Sequence, residues 1–143
     1  MKNKFKINFS SISENEAFAR NVVASFILPL NPTLSEISDV KTAVSEAVTN
    51  AIVHGYPDSV GEIELTAELD GFDLHIEIKD DGVGIDDLKK ALEPFYSSKF
   101  ESERSGMGFT IMKTFMDDVS VLSKKNGGTT VKMSKKIIDE NAR

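Results

Sequence analysis

Three polar residues recur at intervals of four in the stretch AVSEAVTNAIVHGYP: Glu46, Asn50 and His54. Residues four apart stack on one side of an α-helix, so their carboxylate, amide and imidazole groups form a single ridge of hydrogen-bonding groups. An apolar stripe at helical spacing marks the core-facing side of the same helix: Ile37, Val40, Val44, Ala47, Val48 and Ala51. The ridge flanks this stripe, which places it at the margin of the core and indicates a cleft there. A solvated helix face that ends at His54 is the simpler alternative for these residues taken alone.

Two glycine-rich stretches could bring backbone groups close to the same cleft. In DDGVGID, Gly82 and Gly84 remove side chains and permit positive φ, and Asp80 can aim a carboxylate into the pocket. RSGMGFTIM places Gly106 and Gly108 at a helix start, where unpaired N–H groups and the helix dipole favour an anion. Each stretch alone is also ordinary turn chemistry, and neither matches a phosphate loop that ends in Lys-Ser/Thr.

Alternation of apolar and polar residues predicts five strands around these motifs. KFKINFS is the first, and GEIELTAELD and FDLHIEIKD form a hairpin around Asp70 and Gly71. VSVLSKKNGGTTVKMSKKI supplies the last two, joined by a turn at Asn126, Gly127 and Gly128. The Asp-x-Gly-x-Gly stretch therefore follows the second strand of the first hairpin.

Helical periodicity predicts three main helices and a short one. The first opens with a capping box at Ser13 and Glu16 and closes at the prolines of FILPLNP. The second runs from about Ser35 to His54 and carries the polar ridge. GMGFTIMKTFMDD is the third, and IDDLKKALEPF is a short helix broken at Pro94, followed by the polar and mobile segment YSSKFESERS.

The composition is that of one globular domain. The 143 residues are 40% hydrophobic and 28% charged, which suffices for a core without disulfides or metal. The absence of cysteine excludes a disulfide framework and cysteine-ligated metal sites, and it fits a cytoplasmic location. No stretch resembles an export signal or a membrane span, and a net charge of −6 without a basic stripe argues against a nucleic-acid partner. We expect one domain over residues 1–143 with a short polar tail from about residue 138.

The order of the elements predicts the fold class. A strand, two helices, a hairpin, a helix and a second hairpin follow one another along the chain, with no internal repeat and no dividing linker. This order is typical of an α+β fold. We expect a two-layer sandwich in which a mixed β-sheet is covered on one face by about three helices.

The order of the motifs resembles a known family. Glu-x-x-x-Asn on a helix is followed by Asp-x-Gly-x-Gly after a strand, then by Gly-x-Gly at a helix start and by GTT in a terminal strand. This set resembles the GHKL superfamily of ATP-binding domains, named after gyrase, a heat-shock chaperone, histidine kinases and MutL. The resemblance runs from residue 5 to about residue 135 and implies the Bergerat ATP-binding fold. SENEAFAR, VSEAVTNAIVHGY, DDGVGI and ERSGMGFTIM are most similar to its anti-sigma serine kinases of sporulation.

The resemblance implies a role for each polar motif in binding Mg-ATP. Glu46 would be the general base that accepts the proton of the attacking hydroxyl, and Asn50 would hold Mg²⁺ through its amide oxygen. Asp80 would accept a hydrogen bond from the adenine amino group. One of Thr129 and Thr130 would complete the adenine contact, since successive strand side chains point to opposite faces.

The same resemblance implies the remaining contacts with the nucleotide. Gly82 and Gly84, with Ile85, would let the backbone close on the base and the ribose. Lys99 or Arg104 would neutralise the charge that develops in transfer. The phosphates would be held by the residues at the start of the third helix: Ser105, Gly106, Met107, Gly108 and Phe109.

For the whole molecule the resemblance implies two linked activities. The chain would act as a kinase that phosphorylates a serine of an anti-anti-sigma protein. It would also act as an inhibitor that keeps sigma F, a sporulation RNA polymerase sigma factor, inactive. In the family both activities usually belong to a homodimer. Glu46 beside Asn50 favours the kinase, because binding alone needs no base. The alternatives are a stress-response sigma factor as the partner, and nucleotide-switched sequestration without kinase activity.

Four further polar residues are interpreted more plainly. His54 is expected to stabilise the end of its helix. Neither His54 nor His75 suggests a phosphohistidine, since the chain has no residues left for the helical domain that histidine kinases phosphorylate. Ser97 and Ser98 are either phosphate contacts or ordinary polar loop residues.

Overall fold

The five predicted strands form one sheet in the computed structural model, which describes residues 1–85 and 108–138 of the chain. They are β1 (Lys2–Ser10), β2 (Glu62–Asp70), β3 (Asp73–Asp80), β4 (Asp118–Ser123) and β5 (Thr129–Lys136). Their spatial order is β1-β2-β3-β5-β4, and each of these pairings is antiparallel. The predicted α+β sandwich is confirmed, but the expectation of a mixed sheet was wrong. Two of the four pairings are hairpins, which force antiparallel strands, and the other two pairings continue that sense.

Alternation decides which face of the central strands is buried. The buried series in β2 is Ile63, Leu65, Ala67 and Leu69. The buried series in β3 is Leu74, Ile76, Ile78 and Asp80. A carboxylate therefore occupies the last inward position of β3, where the strand leaves the core. The β2–β3 turn confirms the Asp-Gly signal, because Gly71 has a φ of 63° and Asp70 pairs with Asp73.

Three α-helices in the described part of the chain cover the inner face of the sheet. They are α1 (Glu14–Ile27), α2 (Leu34–Asn50) and α3 (Gly108–Phe115). The predicted stripe of α2 faces the core, with Ile37 partly buried and its other five members buried. In α3, Phe109 and Met112 are buried and form its core face. None of the described helices is long and apolar enough to cross a membrane.

The capping box lies at the second helix and not at the first. Ser13 has helical φ and ψ of −60° and −29°, and its hydroxyl donates to the neighbouring Glu14 carboxylate at 3.2 Å, so the predicted box with Glu16 was wrong. Thr33 instead has an extended backbone, and its Oγ1 accepts from the Glu36 N–H at 3.1 Å. The Glu36 carboxylate accepts in return from the Thr33 N–H at 2.8 Å, which completes the box.

A π-helical turn, Ala51–Gly55, continues α2 beyond Asn50. It is closed by a hydrogen bond of 3.2 Å from the Tyr56 N–H to the Ala51 carbonyl, five residues earlier. The expectation of a regular α-helix up to His54 was therefore wrong in its last turn. A π-turn takes more residues per revolution, so His54 no longer stacks directly on Asn50 as Asn50 does on Glu46.

Several predictions fall on residues 86–107 and 139–143, which lie outside the described residues. These are the short helix IDDLKKALEPF, the polar segment after it, the first residues of the third helix and the C-terminal tail. The second hairpin is described in full, and it turns at residues 124–128 as predicted.

Candidate active site

Asp80 is a buried carboxylate that keeps spare acceptor capacity. Only 5% of its surface is exposed. Its Oδ1 accepts from the Gly82 N–H at 2.9 Å, and the Thr129 N–H also donates to the carboxylate. Burial raises the pKa of this carboxyl, and the two backbone hydrogen bonds oppose that rise. No lysine or arginine in the described part of the chain forms an ion pair with it, so a ligand can supply the missing donor.

Glycines surround this carboxylate because side chains do not fit there. A Cβ on Gly55 would lie 2.8 Å from the Cγ of Asp80. A Cβ on Gly82 would lie 1.9 Å from the Gly55 carbonyl oxygen, and one on Gly84 would lie 1.9 Å from the Lys124 carbonyl oxygen. The close approach that the sequence suggested at these glycines is therefore an approach of protein backbone segments to one another.

The loop after Asp80 is anchored on both sides. The Val83 N–H donates to the Gly55 carbonyl at 2.9 Å, and the Val83 carbonyl accepts from the Asn126 N–H at 2.6 Å. The Ile85 N–H donates to Ser123 Oγ at 2.8 Å. The end of the π-turn and the β4–β5 turn thus fix the loop between them.

The strand register decides which threonine faces the site. Asp80 pairs with Thr129, and Lys79 pairs with Thr130. Directly paired residues of antiparallel strands point to the same face, so Thr129 shares the inner face with Asp80 and Thr130 lies on the outer face with exposed Lys79. The Thr129 hydroxyl lies 2.8 Å from Ser123 Oγ, which ties it to the loop.

Glu46 and Asn50 lie one turn apart on α2, which continues into the π-turn that ends beside Asp80. Glu46 is 7% exposed, and Asn50 is half-buried. A Cβ on Gly108 would lie 2.9 Å from the Asn50 Nδ2, so the Asn50 amide contacts the start of α3. Five residues further on, Gly55 contacts the Asp80 carboxylate. Glu46 and Asn50 thus lie on α2, and the π-turn that continues α2 ends beside Asp80 of β3; that the three residues form one nucleotide site stays a prediction.

A surface groove of about 460 Å³ along α2 reaches Glu46 from outside. Arg20 of α1 and Lys41 of α2 line it together with Glu46. The groove is open to solvent, and of its two cationic side chains Arg20 is ion-paired with Glu16.

The described residues offer Mg²⁺ few protein ligands, so they fit this ion only if water and substrate complete its coordination shell. No cluster of three or more acidic or histidine side chains among them could hold a metal alone. Mg²⁺ commonly takes one or two protein oxygens and completes its shell with water and substrate phosphates. The half-buried Asn50 amide at the start of α3 suits such a site. Five of the predicted contacts lie outside the described residues: Lys99, Arg104, Ser105, Gly106 and Met107.

The sequence did not point to Gly55, Tyr56 and Ser123 as parts of this site. Gly55 looked like a plain helix stop, although its position directly after the ridge was a usable signal. Ser123 carried no signal, because its hydrogen bonds join residues that are distant in sequence.

Comparison with known proteins finds relatives that belong to one family. Residues 9–135 match the sequence profile of the histidine kinase-like ATPase domain. A Clostridium botulinum protein called anti-sigma F factor is 56% identical over 135 residues, which is 94% of each chain. An anti-sigma F factor of Bacillus velezensis is 48% identical over 143 residues, covering 99% of this chain and 98% of the relative. One from a Thermoanaerobacter species is 51% identical over 135 residues, 94% of each chain.

A solved structure has the same fold. It contains the RsbU and RsbW domains of a protein from Mycobacterium tuberculosis and is similar with a TM-score of 0.67 at 18% sequence identity. The match covers 94% of this chain and 32% of that longer chain. At this identity the likeness concerns the fold alone.

Proposed function

The chain belongs to the anti-sigma F factor family and carries a histidine kinase-like ATPase domain, and from this premise we propose that it is a protein serine kinase. It transfers the γ-phosphoryl group of ATP to a serine of an anti-anti-sigma protein, and it inhibits sigma F. The observation that carries the kinase activity is the buried Glu46 one helical turn from Asn50, at the end of a groove open to solvent.

Asp80 and Thr129 hold the base of the nucleotide in this proposal. The Asp80 carboxylate is fixed by backbone N–H groups and accepts a hydrogen bond from the exocyclic amine of adenine. Thr129 adds a hydroxyl on the same face of the sheet. A guanine base presents a carbonyl where adenine has its amine, so Asp80 favours ATP over GTP.

Asn50 holds Mg²⁺ and Glu46 takes the proton. The Asn50 amide oxygen is a hard ligand that would hold this ion, which would supply positive charge beside the phosphates. The serine Oγ of the partner attacks the γ-phosphorus while the bond to the ADP oxygen breaks, and its proton passes to the Glu46 carboxylate. Glu46 is buried except where it lines the groove, so the partner's serine would displace water from this carboxylate as it approaches.

Inhibition of a sigma factor is the second part of the proposal. The relatives named anti-sigma F factor support it, and we propose that the chain acts as a homodimer. Bound nucleotide can act as a switch only if the sigma factor binds the ATP and ADP forms with different affinity. Equal binding of sigma F with ATP, with ADP and without nucleotide would remove the switch.

The kinase proposal is tested by incubating the purified chain with γ-labelled ATP and Mg²⁺, with and without the anti-anti-sigma protein. We expect label on a serine of the partner only when both are present. Tight ATP binding without transfer of label would contradict the kinase and favour nucleotide-switched sequestration.

A further inference from the structure

We infer that Tyr56 is a positioning residue for the nucleotide site: its hydroxyl fixes the backbone amide of Asp81 and thereby the carboxylate of Asp80. This inference rests on the proposed binding of ATP at Asp80. It assigns a ligand-related role to a residue that ends the stretch VSEAVTNAIVHGY and for which the motifs gave no role.

The Tyr56 hydroxyl connects the start of β2 with the residue that follows β3. It donates to the Glu62 carbonyl at 2.7 Å and accepts from the Asp81 N–H at 2.8 Å. A phenol has one proton to donate, so the bond to Glu62 leaves its oxygen as the acceptor for Asp81. A phenol keeps this proton at neutral pH, and burial raises the pKa of Tyr56 further.

The ring of Tyr56 cannot easily turn away from this position. It lies against Gly61, where a Cβ would come within 2.2 Å of Cε1. Gly61 is itself held on both sides by Ser11, whose Oγ accepts from the Gly61 N–H at 2.9 Å and whose N–H donates to the Gly61 carbonyl at 2.9 Å. The hydroxyl is therefore presented from a fixed ring.

Three successive backbone amides after Asp80 each donate to a fixed acceptor. The acceptor for Asp81 is the Tyr56 hydroxyl, that for Gly82 is Asp80 Oδ1, and that for Val83 is the Gly55 carbonyl. Gly55 and Tyr56, which supply two of these acceptors, are neighbours in sequence at the end of the π-turn. The Gly82 amide is the one in this loop that donates to the Asp80 carboxylate, beside the Thr129 amide from β5, and it lies between the amides of Asp81 and Val83.

The consequence is that the carboxylate is oriented before a ligand arrives. Without the Tyr56 hydroxyl, the Asp81 amide loses its acceptor and the loop gains freedom next to the group that binds the base. The net contribution of one hydrogen bond corresponds to about 2- to 12-fold in a binding constant. Glu46 and Asn50 lie on α2, outside this loop, so the transfer step itself does not depend on Tyr56.

The test compares the native chain with Tyr56→Phe, which keeps the ring and removes the hydroxyl. By calorimetry with ATP and with GTP, we expect the Kd for ATP to rise about 3- to 10-fold and the preference for ATP over GTP to narrow. In the kinase assay, KM for ATP rises in proportion and kcat is unchanged. Thr33→Ala is the matched control, since it weakens the far end of α2 without touching the loop, and its Kd for ATP stays native.

Each outcome separates this inference from the proposed function. A native chain that does not bind ATP contradicts the proposed function. A native chain that binds ATP, together with a Tyr56→Phe variant of native Kd and native base preference, overturns the inference. Amide hydrogen exchange on the native chain without nucleotide gives a second measurement. We expect the Asp81, Gly82 and Val83 amides to be protected, and exchange as fast as in an open loop would also overturn the inference.

Discussion

At the scale of single residues, stability and ligand binding make opposite demands on Asp80. The side chain ends the buried series of β3, and burial raises its pKa. An ionised carboxylate in that position destabilises the folded chain relative to the unfolded one. Only the ionised form, however, is a pure acceptor for an amine of the base.

Replacement of Asp80 by Asn separates these two demands. Because the folded pKa is raised, the contribution of the carboxyl to the free energy of unfolding is largest at acid pH and is lost as the pH rises through the folded pKa. Asp80→Asn removes this titration. The free energy of unfolding of the variant minus that of the native chain should therefore be higher at pH 7 than at pH 4. Its ATP binding should weaken by at least about tenfold, since a donor replaces an acceptor.

Chemical denaturation at both pH values and calorimetry with ATP measure these effects. Asp118→Asn, at the exposed start of β4 and away from the site, is the control and should change neither. If the free energy of unfolding of Asp80→Asn differs from that of the native chain by the same amount at both pH values, the account of the buried carboxyl is contradicted.

Gly55 limits what can stand beside that carboxylate. Gly55→Ala places a Cβ 2.8 Å from the Asp80 Cγ, and the carboxylate must move because the backbone of the π-turn is tied to Val83. We expect a loss of about 1–3 kcal/mol in the free energy of unfolding and a weaker ATP complex, measured by urea denaturation and calorimetry. An alanine variant that binds ATP as the native chain does would show that the site tolerates a displaced Asp80.

At the scale of elements, two similar capping signals had different outcomes. Ser13-x-x-Glu16 and Thr33-x-x-Glu36 have the same pattern, but only Thr33 takes the extended backbone that a capping box needs. Local sequence does not contain this difference. The Glu36 carboxylate also accepts from the Ile138 N–H at 2.8 Å, a contact across 102 residues that favours the box at α2.

The paired substitutions Thr33→Ala and Ser13→Ala test this difference. Thr33→Ala should lower the free energy of unfolding by about 1 kcal/mol, because it leaves the Glu36 N–H without its acceptor. Ser13→Ala should change it by less than about 0.5 kcal/mol, since that hydroxyl makes no capping bond. Thermal and urea denaturation measure both, and equal losses would contradict the assignment of the cap.

The π-turn shows a further limit of prediction from sequence. Val48 and Ala51 continue the apolar stripe of α2, so periodicity extends the α-helix to His54. The extra residue in the last turn is set by contacts of Gly55 and Tyr56 with the loop after β3, which periodicity does not report. Strands and helices follow from local pattern, whereas their joints depend on contacts between distant segments.

At the scale of the whole molecule, the order of the motifs was more informative than any one of them. Glu46, Asn50 and Asp80 were predicted as one site, and in the structure the π-turn after Glu46 and Asn50 ends against the Asp80 carboxylate. The sense of the sheet was not predictable in the same way, because strand pairing depends on how the two hairpins meet β1. Tyr56 and Ser123 were missed for a similar reason, since each acts through hydrogen bonds to backbone groups far along the chain.

The measurement that tests the central claim most directly is phosphoryl transfer by Glu46→Gln. Gln keeps the shape of the side chain and cannot take the proton, so we expect kcat to fall about 10²- to 10⁴-fold with the Kd for ATP within about twofold of native. Glu68→Gln, on the exposed outer face of β2, is the matched control and should transfer normally. Transfer at the native rate by Glu46→Gln would contradict the assignment of Glu46 as the general base and the kinase mechanism built on it.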